Sequence, residues 1–454
     1  MTLRLYNTMS RRVEDIAQSD NELKMYVCGI TPYDHSHLGH AMSYVIFDVV
    51  RRYLEFRGFK VRHVQNYTDI DDRIIMRANS QNLPYDRVAE GYIEEYEQEV
   101  RELNITPAHV YPRATQEIPQ IIEMVKALIE KGFAYPVESG DVYFSVRKDP
   151  GYGKLSGRSV DSLTESRIEL GEEKHDPADF ALWKAAKPGE PAWDSPWGLG
   201  RPGWHIECSA MSYRYLGPTL DIHGGGQDLI FPHHENEIAQ SEAFTGIRPF
   251  VRFWLHNGWL TLDEEKMSKS LGNIITLREG LDRYGADGIR MFVLTSHYRA
   301  PLNYSEEALE SGKRAAERLR IAATLPGGQG QPCVEGDSTR QRFIESMDED
   351  LNTAGALAAL FDLAREINRG RDEGRCIDGA QATLRELAGV LGLTLREPEA
   401  AQAAGPFIDL LVGLRNELRA RKEFELADRL RAQLEDLGIT LEDGPEGTRW
   451  RAKQ

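Results

Sequence analysis

The stretch between residues 23 and 67 constrains the fold of this chain more than any other feature. Leu23-Lys24-Met25-Tyr26-Val27-Cys28 is a nearly unbroken apolar run that stops at Gly29. Residues 38–56 then repeat their apolar side chains with helical spacing, and Lys60-Val61-Arg62-His63-Val64-Gln65-Asn66-Tyr67 is a second strand-like run. A strand, a helix and a strand in that order join as a parallel pair, because the right-handed crossover packs back onto the sheet. Motifs at the ends of such strands point to a ligand crevice at the carboxyl edge of the sheet. The fold class expected is therefore α/β.

At 454 residues the chain is too long for one ordinary domain. We expect a Rossmann-like parallel-sheet catalytic domain from residues 1–112 and 200–255, interrupted by an inserted connective subdomain at 113–199. The insertion has helical spacing around 118–132, followed by short segments rich in Gly, Pro and Asp. Residues 256–304 form a loop-bearing junction. Ser305 ahead of Glu306 and Glu307 is a helix start, since the hydroxyl caps and the acids suit the dipole. A helical bundle is expected over 305–395, broken by Pro326-Gly327-Gly328-Gln329-Gly330-Gln331-Pro332. A small mixed α+β domain at 401–454 is expected to hold a helix hairpin, a strand at Ile439-Thr440-Leu441 and a turn at Gly444-Pro445.

No apolar run approaches bilayer length, and Met1 to Asp20 has no signal core, so a cytoplasmic protein with no membrane partner is expected. Four cysteines do not make a disulfide framework in a chain this size. Cys333 and Cys376 fall in polar, Gly-containing stretches and read as incidental surface thiols. The net charge of −17 argues against nucleic acid as a partner, because phosphate neutralisation needs Lys and Arg. Residues 401–454, however, balance nine Lys and Arg against ten Asp and Glu, so the tail is less acidic than the rest. Local basic patches and shape suffice to hold a large RNA.

Two short motifs carry phosphate chemistry. His37-Leu38-Gly39-His40 sits where a loop becomes a helix, with the imidazoles three apart on one face. Gly39 lets a flat base approach the backbone, and a helix N-terminus favours anions. Lys266-Met267-Ser268-Lys269-Ser270 follows an acidic run and precedes Gly272, a loop able to fold over a triphosphate. Either motif alone is ordinary: surface histidines in the first case, a solvated charged loop in the second. Their coincidence in one chain looks like the two signatures of class I aminoacyl-tRNA synthetases.

Four further residues have the character of metal ligands. His233 and Glu237 are spaced to share a helix face, Cys28 ends the first strand, and Cys208 closes Gly203-Trp204-His205-Ile206-Glu207-Cys208. Two thiolates, an imidazole and a carboxylate suit Zn²⁺ in kind and number and disfavour hard cations. His234 and Glu235 compete with His233 and Glu237 for these places, and a closed site that only staples the fold is the alternative. Cys28 lies just ahead of His37, which sets any metal beside the nucleotide.

Several segments resemble the cysteinyl-tRNA synthetases: Tyr26-Val27-Cys28-Gly29-Ile30-Thr31, His37 to His40, Asn66-Tyr67-Thr68-Asp69-Ile70-Asp71-Asp72, and Gly200 to Met211. Asp221-Ile222-His223-Gly224-Gly225-Gly226, Phe231 to Glu237, Lys266 to Gly272, Leu441 to Pro445 and Thr448-Arg449-Trp450 extend the likeness over nearly the whole chain. The resemblance implies that L-cysteine and ATP, with Mg²⁺, give cysteinyl-adenylate, and that the cysteinyl group passes to the 3′-terminal adenosine of tRNA(Cys). It implies one zinc per chain held by Cys28, Cys208, His233 and Glu237, with the substrate thiolate adding to it. Catalytic roles fall on His37, His40, Lys266 and Lys269, and ATP binding on Gly39, His223, Gly225, Asp228 and Lys269. Gly29, Thr68 and Trp204 resemble the amino-acid pocket, and Arg419, Asp428 and Asp443 the anticodon readers of a C-terminal anticodon-binding domain. A monomer is expected. Some members carry two lysines after the Thr-Asp-Ile-Asp-Asp segment, linked to a pyridoxal-phosphate-dependent side activity; Arg73 and Met76 stand there and cannot form a Schiff base. The rivals are a ligase joining cysteine to an amino sugar, which has no use for the C-terminal motifs, and a non-catalytic RNA-binding or zinc-stapled scaffold, which has no use for the two signatures.

Overall fold

The structure is a computed structural model that describes residues 2–16, 22–161, 173–262, 265–266, 275–396, 399–444 and 447–452. It divides into two compact units, Met1–Thr394 and Leu395–Gln454.

The centre of the first unit is a four-stranded parallel sheet in the order Val251–Asn257, Leu220–Gly226, Leu23–Val27, Val61–Gln65. Its register sets Met25 beside Ile222 on one side and His63 on the other. Met25, Tyr26, Val27, Ile222, Trp254 and Leu255 are fully buried, as befits strands covered on both faces. The helix Leu38–Phe56 makes the crossover and buries one long apolar face. It comes close to the sheet because residue 224 is glycine: a Cβ there would stand 2.2 Å from the Phe47 ring.

The inserted segment builds its own antiparallel sheet from Ala134–Pro136, Val142–Phe144, Phe180–Ala185 and Gly200–Pro202. The helix Ile118–Glu130 packs on it through Ile121, Val125 and Leu128. The last strand lies just beyond the boundary expected at residue 199: Trp183 pairs with Pro202, so the sheet hands the chain directly to the helix Trp204–Leu216.

After the parallel sheet comes the helix Leu277–Leu294, followed by Glu306–Thr324, Asp337–Asp348, Thr353–Asp372 and Asp378–Val390. Ser305 caps the second of these by accepting from Ala308 N–H at 3.1 Å. A buried cation ties this half to the crossover helix: Arg290 donates to Asp48 (2.5 Å), to the Leu103 carbonyl (2.6 Å) and to the Leu391 carbonyl (3.0 Å). Both partners of that ion pair are fully buried, and Asp48 also accepts from Arg52 and from Thr106 N–H. Burial raises the Asp48 pKa, but Arg290 and Arg52 outweigh it and hold the carboxyl below its usual value.

The second unit pairs the helices Glu399–Ala420 and Phe424–Asp436 with the hairpin Ile439–Gly444/Gly447–Ala452 around Ile408, Val412, Leu434 and Leu441. The helix hairpin and first strand match the sequence reading; the return strand supplies Trp450, whose indole donates to Asp409 at 2.6 Å. Among the described residues no helix is long and apolar enough to cross a membrane.

Candidate active site and metal centre

His37 and His40 cap the crossover helix, and the capping fixes their protons. His37 Nδ1 accepts from Gly39 N–H at 3.1 Å, and His40 Nδ1 accepts from His37 N–H at 3.4 Å, a reciprocal box made by two imidazoles. Their rings stack with centroids 3.8 Å apart. A neutral ring that accepts at Nδ1 carries its proton on Nε2. Both side chains therefore present an Nε2–H donor at a helix N-terminus, the polarity that an anionic phosphate needs.

The chain that follows the second signature, from Ile275 onward, comes to the same place. Glu265–Lys266 pairs antiparallel with Thr261–Leu262, which marks where the loop leaves. Where the chain returns, Ile275 accepts from Leu38 N–H at 3.4 Å and Leu277 N–H donates to the Ser36 carbonyl at 2.8 Å. Thr276 caps the helix Leu277–Leu294 and bridges to His37. The return end of the loop is thus sewn to the first signature. Lys269 lies outside the described residues, and Lys266 is described in its backbone alone.

The four expected ligands converge. One ligand atom from each of Cys28, Cys208, His233 and Glu237 lies within 4.8 Å of the others. Four elements supply them: the end of Leu23–Val27, the helix Trp204–Leu216, the turn Ile230–His234 and the helix Glu235–Thr245. Cys208, His233 and Glu237 are buried, while Cys28 is half-buried. A second group, Cys28, His223, His234 and Glu237, meets the same distance test. Glu237 shows how the two relate. Its Oε1 faces His233 Nε2 at 3.0 Å and Cys28 Sγ at 3.8 Å, while its Oε2 is held by His223 Nε2 at 2.9 Å. His223 orients the far oxygen of the carboxylate, as residues behind a metal ligand do. His234 Nε2 lies 3.3 Å from Cys28 Sγ, its Nδ1 meets His256 Nε2 at 2.7 Å, and His256 Nδ1 meets Thr8 Oγ1 at 2.8 Å. Glu235 turns away and accepts from Leu155 and Ser156 N–H.

The electrostatics agree with a cation-binding pocket. The Cys208 thiol falls to about 6, chiefly through its hydrogen bond with Cys28, whose own thiol burial pushes well up. Burial would raise Glu237, but His223 and His233 hold it down to about 2; burial would lower His233, but Glu237 and Cys208 raise it to about 10. Two sulfurs, a carboxylate and an imidazole packed together are the donor set that zinc requires, once the His233 proton is released on binding.

Gly29 donates to Asn66 Oδ1 at 3.0 Å, and a Cβ on it would lie 1.5 Å from the Asn66 carbonyl oxygen. The same Asn66 carboxamide donates to Thr68 Oγ1 at 3.2 Å and lies 3.8 Å from Cys208 Sγ. Asn66 thus joins the expected pocket residues Gly29 and Thr68 to the metal centre. Trp204 stacks on the His233 ring at 4.4 Å, and His205 Nδ1 meets His233 Nδ1 at 2.9 Å. Asn66, His205 and His256 are absent from the sequence reading; Asn66 and His205 lie inside quoted motifs, but only the fold shows what they touch.

The residues expected at adenosine divide. His223 is fully buried, stacked on Trp254 at 4.7 Å, and its Nε2 lies 2.9 Å from Glu237 Oε2 beside the candidate ligands. Gly225 is glycine because a Cβ would come within 2.9 Å of the His234 ring. Asp228 is exposed at the end of the same strand. In the second unit, Asp443 accepts from Arg415 at 2.9 and 2.8 Å, from Arg419 at 3.1 Å, from Arg431 at 3.3 Å and from Thr448 at 2.7 Å. Arg415 is the buried member of that set and was missed in the sequence. Asp443 therefore ties the hairpin to the helices, Arg419 leans on it, and Asp428 is exposed on its helix.

Comparison with known proteins follows the same lines. Residues 15–314 match the family model described as "tRNA synthetases class I (C) catalytic domain", and residues 342–396 match "DALR domain". A protein of Dehalococcoides mccartyi named "Cysteine--tRNA ligase" is 56% identical, with 99% of this chain and 100% of that protein covered. One of the same name from Heliobacterium modesticaldum is 48% identical over 99% and 100%. In fold the chain is similar to Mycobacterium tuberculosis methionyl-tRNA synthetase in complex with methionyl-adenylate, with a TM-score of 0.57 at 17% identity, covering 86% of this chain and 94% of that one.

Proposed function

The chain belongs to the cysteine–tRNA ligases of the class I synthetase family, and from that premise we propose how its own residues carry the reaction. It is a ligase that joins cysteine to tRNA and uses ATP to do so. The observation that carries the residue assignment is the convergence of Cys28, Cys208, His233 and Glu237 at the end of the strand that feeds the His37–His40 helix.

His37 and His40 offer Nε2–H donors to the ATP phosphates, where charge builds on the oxygens as the cysteine carboxylate attacks the α-phosphorus. Donors fixed before the reaction cost no reorganisation in the transition state. Gly39 gives the base access to the backbone. Gly225 keeps the strand close to His234, and Asp228 stands at the rim for the ribose or its Mg²⁺. The loop of Lys266 and Lys269 closes over the pyrophosphate, anchored at its return by Thr276 on His37. Gly29 and Thr68, joined by Asn66, shape the cysteine pocket with Trp204 as its wall.

Zinc held by Cys28, Cys208, His233 and Glu237 would supply a soft Lewis acid that takes a thiolate and refuses an alcohol. His223 and His205 hold the Glu237 and His233 side chains in place for it. A pocket selecting on size alone separates serine from cysteine poorly, so chemistry must do it, and no editing domain is required. The unit Leu395–Gln454 reads the anticodon loop through Arg419 and Asp428, with Asp443 as its internal brace, and the protein works as a cytoplasmic monomer.

The test is pyrophosphate exchange and tRNA charging with cysteine and serine, before and after chelation. Zinc-loaded protein should use cysteine alone. Stripped protein should lose cysteine activation by at least tenfold and regain it on adding zinc. Metal-free protein that still prefers cysteine over serine sinks this account of specificity, and exchange without charging restores the small-molecule ligase.

A further inference from the structure

Cys333 and Cys376, apart in sequence, meet in the fold. Val334 N–H donates to the Cys376 carbonyl at 2.8 Å, and Cys376 N–H donates to the Gly330 carbonyl at 2.8 Å. Such bonds hold two backbones at neighbouring-strand spacing, about 4.7–4.9 Å, which is within the ~4.4–6.8 Å Cα span that a disulfide bridges. Both residues are half-buried and therefore reachable from solvent.

Their surroundings are unequal. Three donors gather at Cys333: the Gln331 amide reaches its Sγ at 3.2 Å, the Cys376 thiol hydrogen-bonds to it, and the Arg375 guanidinium binds its carbonyl at 3.1 Å. Of these, the Gln331 amide faces the sulfur itself, so an N–H meets the charge that develops on Cys333 as it attacks. The Cys376 thiol is raised, chiefly by that hydrogen bond to Cys333, so it keeps its proton while Cys333 reacts.

We propose that Cys333 and Cys376 form a reversible, peroxide-reactive dithiol in the helical bundle, separate from the metal centre, with Cys333 attacking and Cys376 resolving. The Cys333 thiolate attacks one oxygen of a hydroperoxide; an S–O bond forms, the O–O bond breaks, and hydroxide or alkoxide leaves. Cys376 then attacks the sulfenic sulfur; the S–S bond forms, the S–O bond breaks, and the departing hydroxide takes the Cys376 proton as water. Two electrons pass from the thiols to the peroxide. The product staples the segment 330–334 to the start of the helix Asp378–Val390.

The experiment treats zinc-loaded, full-length protein with equimolar hydrogen peroxide, then alkylates and maps peptides by mass. The expected result is one intramolecular Cys333–Cys376 link, lighter by the two lost thiol hydrogens and reversed by dithiothreitol. In C376S, a dimedone-trapped sulfenic acid should appear on Cys333; in C333S, Cys376 should stay alkylatable. Both thiols remaining free while Cys28 and Cys208 oxidise overturns the proposal. So does oxidation of Cys333 in C376S at a rate no faster than that of an unstructured thiol peptide, or a link that appears only between chains.

Discussion

Gly29 shows how one residue can be required by another's backbone. Its place beside the Asn66 carbonyl leaves no room for a Cβ, which would sit at 1.5 Å. Gly29→Ala must displace Asn66, whose carboxamide also reaches Thr68 and Cys208. We expect a loss of roughly 1–3 kcal/mol in stability, as for other overpacked sites, and a fall in cysteine-dependent pyrophosphate exchange far larger than the change in melting temperature. Glu99 is a different case. It is 1% exposed with neither carboxylate oxygen hydrogen-bonded among the described residues, and burial, reinforced by Glu95, raises it from 4.5 to about 7. Because the folded value exceeds the unfolded one, the stability it carries is full below pH 4.5 and is lost as the pH rises through about 7. Glu99→Gln should match the parent near pH 4 and melt higher at pH 8, by at most roughly 3 kcal/mol. Melting curves across that range check it; a parent that gains stability from pH 5 to pH 8 relative to the variant contradicts it.

At the scale of elements, the crossover helix carries two tasks on the same imidazoles. Capping needs an acceptor at His37; phosphate binding needs the donor on its far side. Asn is among the best capping residues, and replacing a cap by Ala costs about 1 kcal/mol. His37→Asn should therefore hold the melting temperature near that of the parent, while His37→Ala lowers it. Both should lose about 10²–10³-fold in adenylate formation, the usual effect of removing one transition-state donor. Equal activity in parent and His37→Asn, measured by pyrophosphate exchange, would show that the cap is all His37 provides. The helix Glu235–Thr245 is likewise divided along its length: Glu235 holds the insertion through Leu155 and Ser156, while Glu237 faces the metal centre. Spacing alone could not separate those two carboxylates.

At the scale of the molecule, the proposed function divides the work between the two units. Both signatures and all four ligands belong to Met1–Thr394, and the hairpin braced by Asp443 belongs to Leu395–Gln454. A chain ending at Thr394 should keep cysteine-dependent pyrophosphate exchange within about threefold, a change of under 1 kcal/mol in barrier. It should lose at least tenfold in kcat/KM for tRNA charging, mostly in KM. Loss of exchange in the truncated chain would mean that the second unit supports the first. Asp443→Asn should weaken charging by loosening the hairpin, with a lowered melting temperature for the second unit as its signature, whereas Asp428→Asn should leave that melting temperature alone.

The sequence by itself determined the parallel βαβ start, the helix at residues 38–56, the two signatures and four residues of metal-binding character that the fold brings together, because each rests on local periodicity or on side chains whose chemistry is rare in combination. Tertiary structure alone decided between Glu235 and Glu237, and it brought both His233 and His234 to the cluster, since which side of a turn faces it depends on the strands around it. It showed that His223 holds the far oxygen of Glu237 and that Asp443 pairs with the buried Arg415. It also brought Cys333 to Cys376. These contacts join residues far apart in the chain, and no local pattern encodes which distant backbone will lie alongside.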